Sequence, residues 1–170
     1  EITYGFSVGG SWKGLDFSIL FQGAGRVSTY FSARSGTYPF AADWGPAYEW
    51  NLERWTQERY ENGDKISFPR LKLKDIEHNY QKSSFWVQDG SYLRLQNLSL
   101  GYTFPDKWTR KAGISKLRVY VQGSNLFTWT DYSGYNPEVS NHANDALRPG
   151  EDYCSYPLAR TFSVGINFNL

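Results

Sequence analysis

Strict alternation of large apolar with small or polar side chains governs the most regular stretches of this chain. At its end, Phe162, Val164, Ile166, Phe168 and Leu170 alternate with Thr161, Ser163, Gly165, Asn167 and Asn169. Successive side chains of a strand point to opposite faces, so the stretch predicts a strand with one greasy and one wet face. The pattern recurs four times. Ile2, Tyr4, Phe6 and Val8 alternate with Thr3, Gly5, Ser7 and Gly9. Leu15, Phe17, Ile19 and Phe21 alternate with Asp16, Ser18, Leu20 and Gln22, with Leu20 the exception. Leu117, Val119 and Val121 alternate with Lys116, Arg118, Tyr120 and Gln122. Leu98, Leu100, Tyr102 and Phe104 alternate with Asn97, Ser99, Gly101 and Thr103, whereas Leu93 and Leu95 stand in the opposite phase. That switch predicts a bulge or a change of environment near Gln96.

The composition of the second face decides the class. A soluble sandwich puts its apolar face in a core and carries Lys, Glu and Thr on the other. Here the second face is mostly Gly, Ser, Thr, Asn and Gln, and the rings Trp12, Phe104, Trp108, Phe127 and Trp129 stand at or just past strand ends. Apolar-out, polar-in strands of about ten residues with aromatic girdles describe an outer-membrane barrel. The connections, Gly10 to Gly14, Val27 to Phe85, Pro105 to Ser115 and Asp131 to Tyr156, alternate short and long. Outer-membrane barrels have short periplasmic turns and long extracellular loops. The expected fold is therefore all-β: about five antiparallel strands from the C-terminal part of a large transmembrane β-barrel. Strands are expected near 2–10, 15–27, 85–104, 115–130 and 156–170, with extracellular loops over 28–84 and 131–155. Five strands do not close, since bacterial single-chain barrels use an even number of at least about eight. The chain also opens directly in strand-like sequence, so it is expected to be a piece of a larger protein rather than a mature chain freed from a signal peptide.

Composition excludes other classes. Aromatic residues make up 18% of the chain, which argues against disorder. No apolar run is long enough for a membrane-spanning helix. A net charge of +1 gives no bulk attraction for nucleic acid, and a single cysteine, Cys154, leaves neither an internal disulfide nor a cysteine-rich zinc site. His78 and His142 are isolated, no glycine-rich phosphate loop occurs, and Asn97-Leu98-Ser99 is a sequon inside a strand. No catalytic, cofactor-binding or metal-binding residue is expected, and no enzyme activity. The oxygen-rich stretch Asp131, Asn136, Glu138, Asn141, Asn144, Asp145, Glu151, Asp152 lacks the spacing of a twelve-residue calcium loop and reads as turn-forming residues.

The first long loop carries most of the remaining signal. Residues 47–61 read as one short helix with Tyr48, Leu52 and Trp55 as its apolar stripe, stopped at Asn62-Gly63-Asp64. Tyr38, Trp44, Tyr48, Trp50 and Trp55 are the candidate substrate or partner contacts, because crowded rings are enriched at interfaces. The alternative is that they pack the loop on itself.

Several motifs together resemble the C-terminal segment of the SusC/RagA family. They are Trp86-Val87-Gln88-Asp89-Gly90-Ser91-Tyr92-Leu93-Arg94-Leu95-Gln96-Asn97 followed by Leu98 to Pro105; Arg54-Trp55-Thr56 leading to Phe68-Pro69-Arg70-Leu71; Gly123 to Thr130 with Tyr132-Ser133-Gly134-Tyr135-Asn136-Pro137-Glu138; and Tyr156-Pro157 with Arg160-Thr161-Phe162. Asn136 departs from the acidic residue expected before Pro-Glu, and Leu170 from a terminal aromatic, with Phe168 two residues upstream. The resemblance implies a TonB-dependent outer-membrane transporter of Bacteroidetes-type bacteria. Its barrel would have 22 strands and a plugged lumen. A SusD-like lipoprotein would cap it outside, and TonB would act through a plug and N-terminal segment absent here. Its cargo would be an oligosaccharide or a peptide. Phe162, Val164, Ile166 and Phe168 are then expected to face outer-membrane lipid. Arg118 and Gln122 are expected to face the lumen, while Lys116 either joins them or snorkels to headgroups. The competing readings are a soluble carbohydrate-binding β-sandwich and a small self-contained barrel serving as adhesin or enzyme.

Overall fold

The computed structural model describes residues 1–32, 47–73, 78–79, 81–139, 150–154 and 156–169. They form two compact units: Glu1–Thr29 with Asp89–Val139 and Ser155–Leu170, and Tyr30–Gln88 with Ser140–Cys154.

The first unit is a five-stranded antiparallel sheet. Its strands are β1 (Ile2–Trp12), β2 (Leu15–Gly25), β5 (Tyr92–Thr103), β6 (Lys116–Thr130) and β8 (Thr161–Asn169), in that spatial order. The expectation of about five antiparallel strands holds. Register aligns the apolar rows across the whole sheet: Val8 faces Ile19, Ile19 faces Leu98, Leu100 faces Val121 and Val121 faces Val164. Directly opposed residues share a face, so one surface is apolar from β1 to β8. The phase switch in β5 is a bulge. Phe21 and Leu20 of β2 pair with Leu95 and Asn97, leaving Gln96 as the extra residue. One inserted residue turns Leu93 and Leu95 back onto the face of Leu98 and Leu100. β6 answers with its own irregularity at Asn125, whose φ is 55°.

The hairpin from β1 to β2 uses two residues, Lys13 and Gly14, at φ 49° and 90°. Positive φ at both central positions matches the right-handed twist of the flanking strands. A Cβ on Gly14 would lie 2.5 Å from the Thr103 carbonyl oxygen, so the turn also needs glycine for space. β5 passes to β6 through Pro105, the one-turn helix α2 (Asp106–Thr109) and a 3-10 turn over Arg110–Ala112 that ends on Gly113 in the left-handed region.

Most of this sheet is covered on neither face. Every residue of β1 is exposed, as is most of β8. Buried side chains of the unit, among them Ala24, Tyr92, Arg94, Leu126, Tyr132 and Asn136, gather toward the end of the sheet from which the long connections leave.

The second unit holds most of a small sheet ordered β4 (Val87–Asp89), β3 (Ser28–Phe31), β7 (Glu151–Asp152). β3 and β7 run parallel, with Tyr30 N–H donating to the Gly150 carbonyl at 2.8 Å. β3 and β7 lie in stretches read from sequence as loops. They are two to four residues long, too short to show a period. The stretch 85–104, read as one strand, is divided. A 3-10 turn over Ser84–Trp86 leads into β4, and the chain breaks at Gly90, whose N–H donates to the Val27 carbonyl. The last strand begins at Thr161 rather than 156, after Pro157.

The single helix expected over 47–61 is two pieces. A 3-10 turn covers Glu49–Glu53, and α1 covers Gln57–Glu61. Between them the chain extends: Arg54 bridges Phe68, and Trp55 N–H donates to the Phe68 carbonyl at 2.8 Å. Thr56 then restarts the helix, its Oγ1 accepting from Arg59 N–H at 3.2 Å. A threonine oxygen satisfies a helix's orphan first-turn donor, so it favours a start there over a continuous helix. Asn62 and Gly63, at φ 71°, end α1.

Candidate functional site

The polar face of the large sheet carries an ion pair that bridges two strands across a third. Asp16 of β2 and Arg118 of β6 stand on either side of β5. Arg118 Nε donates to Asp16 Oδ1 at 3.0 Å and its terminal nitrogen to Oδ2 at 2.6 Å. Gly101 opens the path: a Cβ there would run into the Arg118 guanidinium. The guanidinium also lies 4.8 Å over the Tyr120 ring, which in turn covers Gly165. Ser124 Oγ donates to Asn97 Oδ1 at 2.9 Å on the same face. Gln122, opposite Ser99 and Ser163, is exposed there. On this face the two opposite charges of Asp16 and Arg118 compensate each other.

Phe162, Val164, Ile166 and Phe168 all stand on the other face, opposite Gly123, Val121, Val119 and Leu117. They are 77%, 76%, 62% and 60% exposed. Four large side chains open to this degree along one strand form an apolar surface that needs a non-aqueous partner.

The loop rings do not form one cluster. Tyr48 stacks on Trp50 with centroids 4.6 Å apart. Tyr48 and Leu52 line a hollow of about 360 Å³ with Arg54 and Leu71. Trp55 lies instead in a hollow of about 640 Å³ with Phe68, Phe85 and Lys82. The stripe expected from Tyr48, Leu52 and Trp55 is therefore split, because the helix breaks at Arg54. Tyr38 and Trp44 lie outside the described residues, as do His142, Asn141, Asn144 and Asp145. Glu53 ties this unit together by accepting from Ser67 Oγ at 2.5 Å and Lys65 Nζ at 3.2 Å. The Ser67 bond, then Lys65, hold its carboxyl below the ordinary glutamate range.

Sequence reasoning missed Arg94. Its side chain is 3% exposed and donates to Thr128 Oγ1 at 3.1 Å, Asn136 Oδ1 at 2.8 Å and Glu138 Oε2 at 2.5 Å. Asn136 also accepts from Glu138 N–H and donates to its carbonyl, closing a tight turn. The departure from an acidic residue at 136 thus suits a neutral acceptor beside an arginine already paired with Glu138. The signal was an arginine inside a strand, where a buried charge requires partners. Among the described residues no group of three or more His, Cys, Asp or Glu side chains is placed to hold a metal. Partial burial, then Asp152, push the Cys154 thiol above its ordinary value, the opposite of what a nucleophile needs.

No family model matches the chain. In sequence it is similar to TonB-dependent receptor P3 of Formosa agariphila, 34% identical over 98% of this chain and 16% of that protein. TonB-dependent receptor P26 of the same organism is 29% identical over 98% of this chain and 17% of that protein. TonB-dependent receptor SusC of Bacteroides thetaiotaomicron is 33% identical over 50% of this chain and 8% of that protein. In structure the chain is similar to the RagAB peptide importer. The open-open state matches with a TM-score of 0.73 and 25% identity, over 99% of this chain and 17% of that one. The closed-closed state gives 0.73 and 27% over 96% and 16%. The chain thus spans 16% and 17% of the length of the first two relatives.

Proposed function

Because the chain belongs to the SusC/RagA family of TonB-dependent outer-membrane transporters, we propose that it is a wall segment of a nutrient importer in the cell outer membrane. The apolar face, with Phe162, Val164, Ile166 and Phe168, meets lipid. The polar face, with Arg118 and Gln122, lines the lumen around a plug that other parts of the protein supply. The short turns at Lys13-Gly14 and Pro105–Ser115 lie on the periplasmic side, and the long connections lie outside.

The observation that supports this reading is the continuity of one exposed apolar surface across all five strands, backed by a mostly polar face on which Arg118 pairs with Asp16 and Arg94 with Glu138. Charge is costly against lipid and tolerated in a lumen. A soluble sandwich would need a second sheet on the apolar face, and the other sheet described has strands of only two to four residues. The wall itself does not move cargo. In this reading TonB acts through the plug, and the wall supplies a rigid, wetted surface for passage.

The outer loops meet a SusD-like lipoprotein and the cargo, an oligosaccharide or a peptide. Trp50 and Leu52, exposed beside the stacked Tyr48, and Trp55 in its separate hollow are the contacts this reading favours. The test is deletion of residues 36–62 in the intact transporter. The barrel should assemble and stay heat-resistant, while lipoprotein capture or uptake is lost. Normal uptake with the lipoprotein still bound would refute the loop assignment.

A further inference from the structure

We propose that the hairpin end of this sheet is a binding site for anionic phospholipid headgroups. The inference rests on the reading of the apolar face as the lipid face and adds to it a selectivity that the apolar face alone does not have.

The first observation is a belt of rings at one end of that face. Trp12 stands opposite Leu15, and Leu15 opposite Tyr102. The Tyr102 ring lies 5.1 Å from Phe104, which lies 6.3 Å from Trp108. Trp12 and Trp108 are 70% and 68% exposed. Amphipathic rings of this kind favour the headgroup level, where one edge is apolar and the other wet.

The second observation is uncompensated positive charge on the same turns. Lys13 sits 4.8 Å over the Trp12 ring. Lys107 and Lys111 flank Trp108 in sequence and are exposed. The acids nearby are already engaged: Asp106 lies 3.8 Å from Arg110, and Asp16 is held by Arg118. Among the described residues none of the three lysines has an acidic side chain within ion-pair distance.

The two turns are also joined. Thr103 N–H donates to the Gly14 carbonyl at 2.7 Å, which places the start of the second turn against the first. Phe104 N–H donates to the Leu117 carbonyl, fixing the ring at the sheet's end. A ligand that matches has a phosphate without a compensating cation and acyl chains to cover the rings. That is phosphatidylglycerol or a related acidic phospholipid, rather than a zwitterionic one. Lys116 is outside the site, because it pairs opposite Asn169 on the polar face.

The test uses the intact transporter with Cys154→Ser, reconstituted in nanodiscs that contain brominated phosphatidylglycerol or brominated phosphatidylcholine. A bimane label at Ala112→Cys reports the belt, and one at Val8→Cys reports the open wall. The Ala112 label should be quenched by phosphatidylglycerol at least about fivefold more efficiently at equal mole fraction, the effect of about one lysine at an anionic surface. The preference should vanish in Lys13→Gln/Lys107→Gln/Lys111→Gln, survive in the triple arginine variant, and shrink with added salt. Heat-modified gel mobility verifies assembly of each variant. Equal quenching of Ala112 by both lipids, with Val8 still quenched, overturns the proposal alone. No quenching at Val8 by either lipid overturns the lipid-face reading and the proposal with it.

Discussion

Arg118 of β6 forms a two-pronged ion pair with Asp16 of β2, and the side chain that would block it is missing because residue 101 between them is glycine. The pair therefore spans three strands, linking β2 to β6 across β5 on the polar face. Both partners are partly exposed, so the coupling measured by a double-mutant cycle of Asp16→Ala and Arg118→Ala is expected to be small. Gly101→Ala should cost about as much as Arg118→Ala and add little on top of it, since the new methyl displaces the guanidinium rather than the backbone. Full additivity of Gly101→Ala with Arg118→Ala would show that the glycine serves something else.

The two faces of β8 should respond oppositely to charge. Val164→Arg is expected to destabilise the assembled barrel by about 2–4 kcal/mol if the site lies near the bilayer midplane. Ser163→Arg, one residue away on the polar face, should cost far less. A lipid-soluble thiol reagent should label Val164→Cys and leave Arg118→Cys unmodified. Efficient labelling of Arg118→Cys from the lipid phase would reverse the assignment of faces.

The strand faces were legible in the sequence because a barrel wall has no core to disturb them. A strand packed on both sides loses its period, whereas each residue here has one of two simple surroundings. The bulge at Gln96 was legible for the same reason, as a switch of phase between Leu95 and Leu98. The second unit was not. β3 and β7 are fixed by single backbone bonds such as Tyr30 to Gly150, which leave no repeat to read. The helix expected over 47–61 was wrong in continuity, and its stripe is split, with Tyr48 and Leu52 on one side of the break and Trp55 on the other. Thr56 offered a cap, and pairing of Arg54 and Trp55 with Phe68 outweighed the helical stripe. Arg94 was hidden because its acceptors Asn136 and Glu138 lie 42 and 44 residues downstream.

Glu53 makes the loop unit sensitive to acid. Its folded pKa is lowered, chiefly by the Ser67 hydroxyl and then by Lys65. A group with a depressed folded pKa contributes stability that is complete above its unfolded value and lost as pH falls through the folded one. Backbone amides of Ser67 and Phe68, which donate to the Glu53 carbonyl, should therefore be less protected, relative to their intrinsic exchange rate at each pH, below about pH 4 than at neutral pH. Glu53→Gln should exchange faster at neutral pH and lose most of that pH dependence. Identical exchange profiles for the two proteins between pH 7 and pH 3 would remove Glu53 from the account.

Arg94 is the anchor that holds residues 131–139 against the sheet. A guanidinium divides its donors among Thr128, Asn136 and Glu138 while its plane lies 5.1 Å over Tyr92. A lysine has one point charge and cannot reproduce that fork. Arg94→Met keeps the length and removes every donor. Glu138 is 48% exposed and regains water, so the loss falls short of that for a fully buried pair. The expected cost is about 1.5–3 kcal/mol, the range for hydrogen bonds to a charged group. Arg94→Lys should recover only part of it, and Glu138→Gln should cost less than either because its own carboxylate is half in water. The sharper readout is local. Limited proteolysis should open a new cleavage site within 131–139 in Arg94→Met, while the barrel strands stay protected. If that segment remains as resistant as in the parent protein, the burial of Tyr132 and the Asn136 turn hold it without the arginine, and Arg94 is not the anchor.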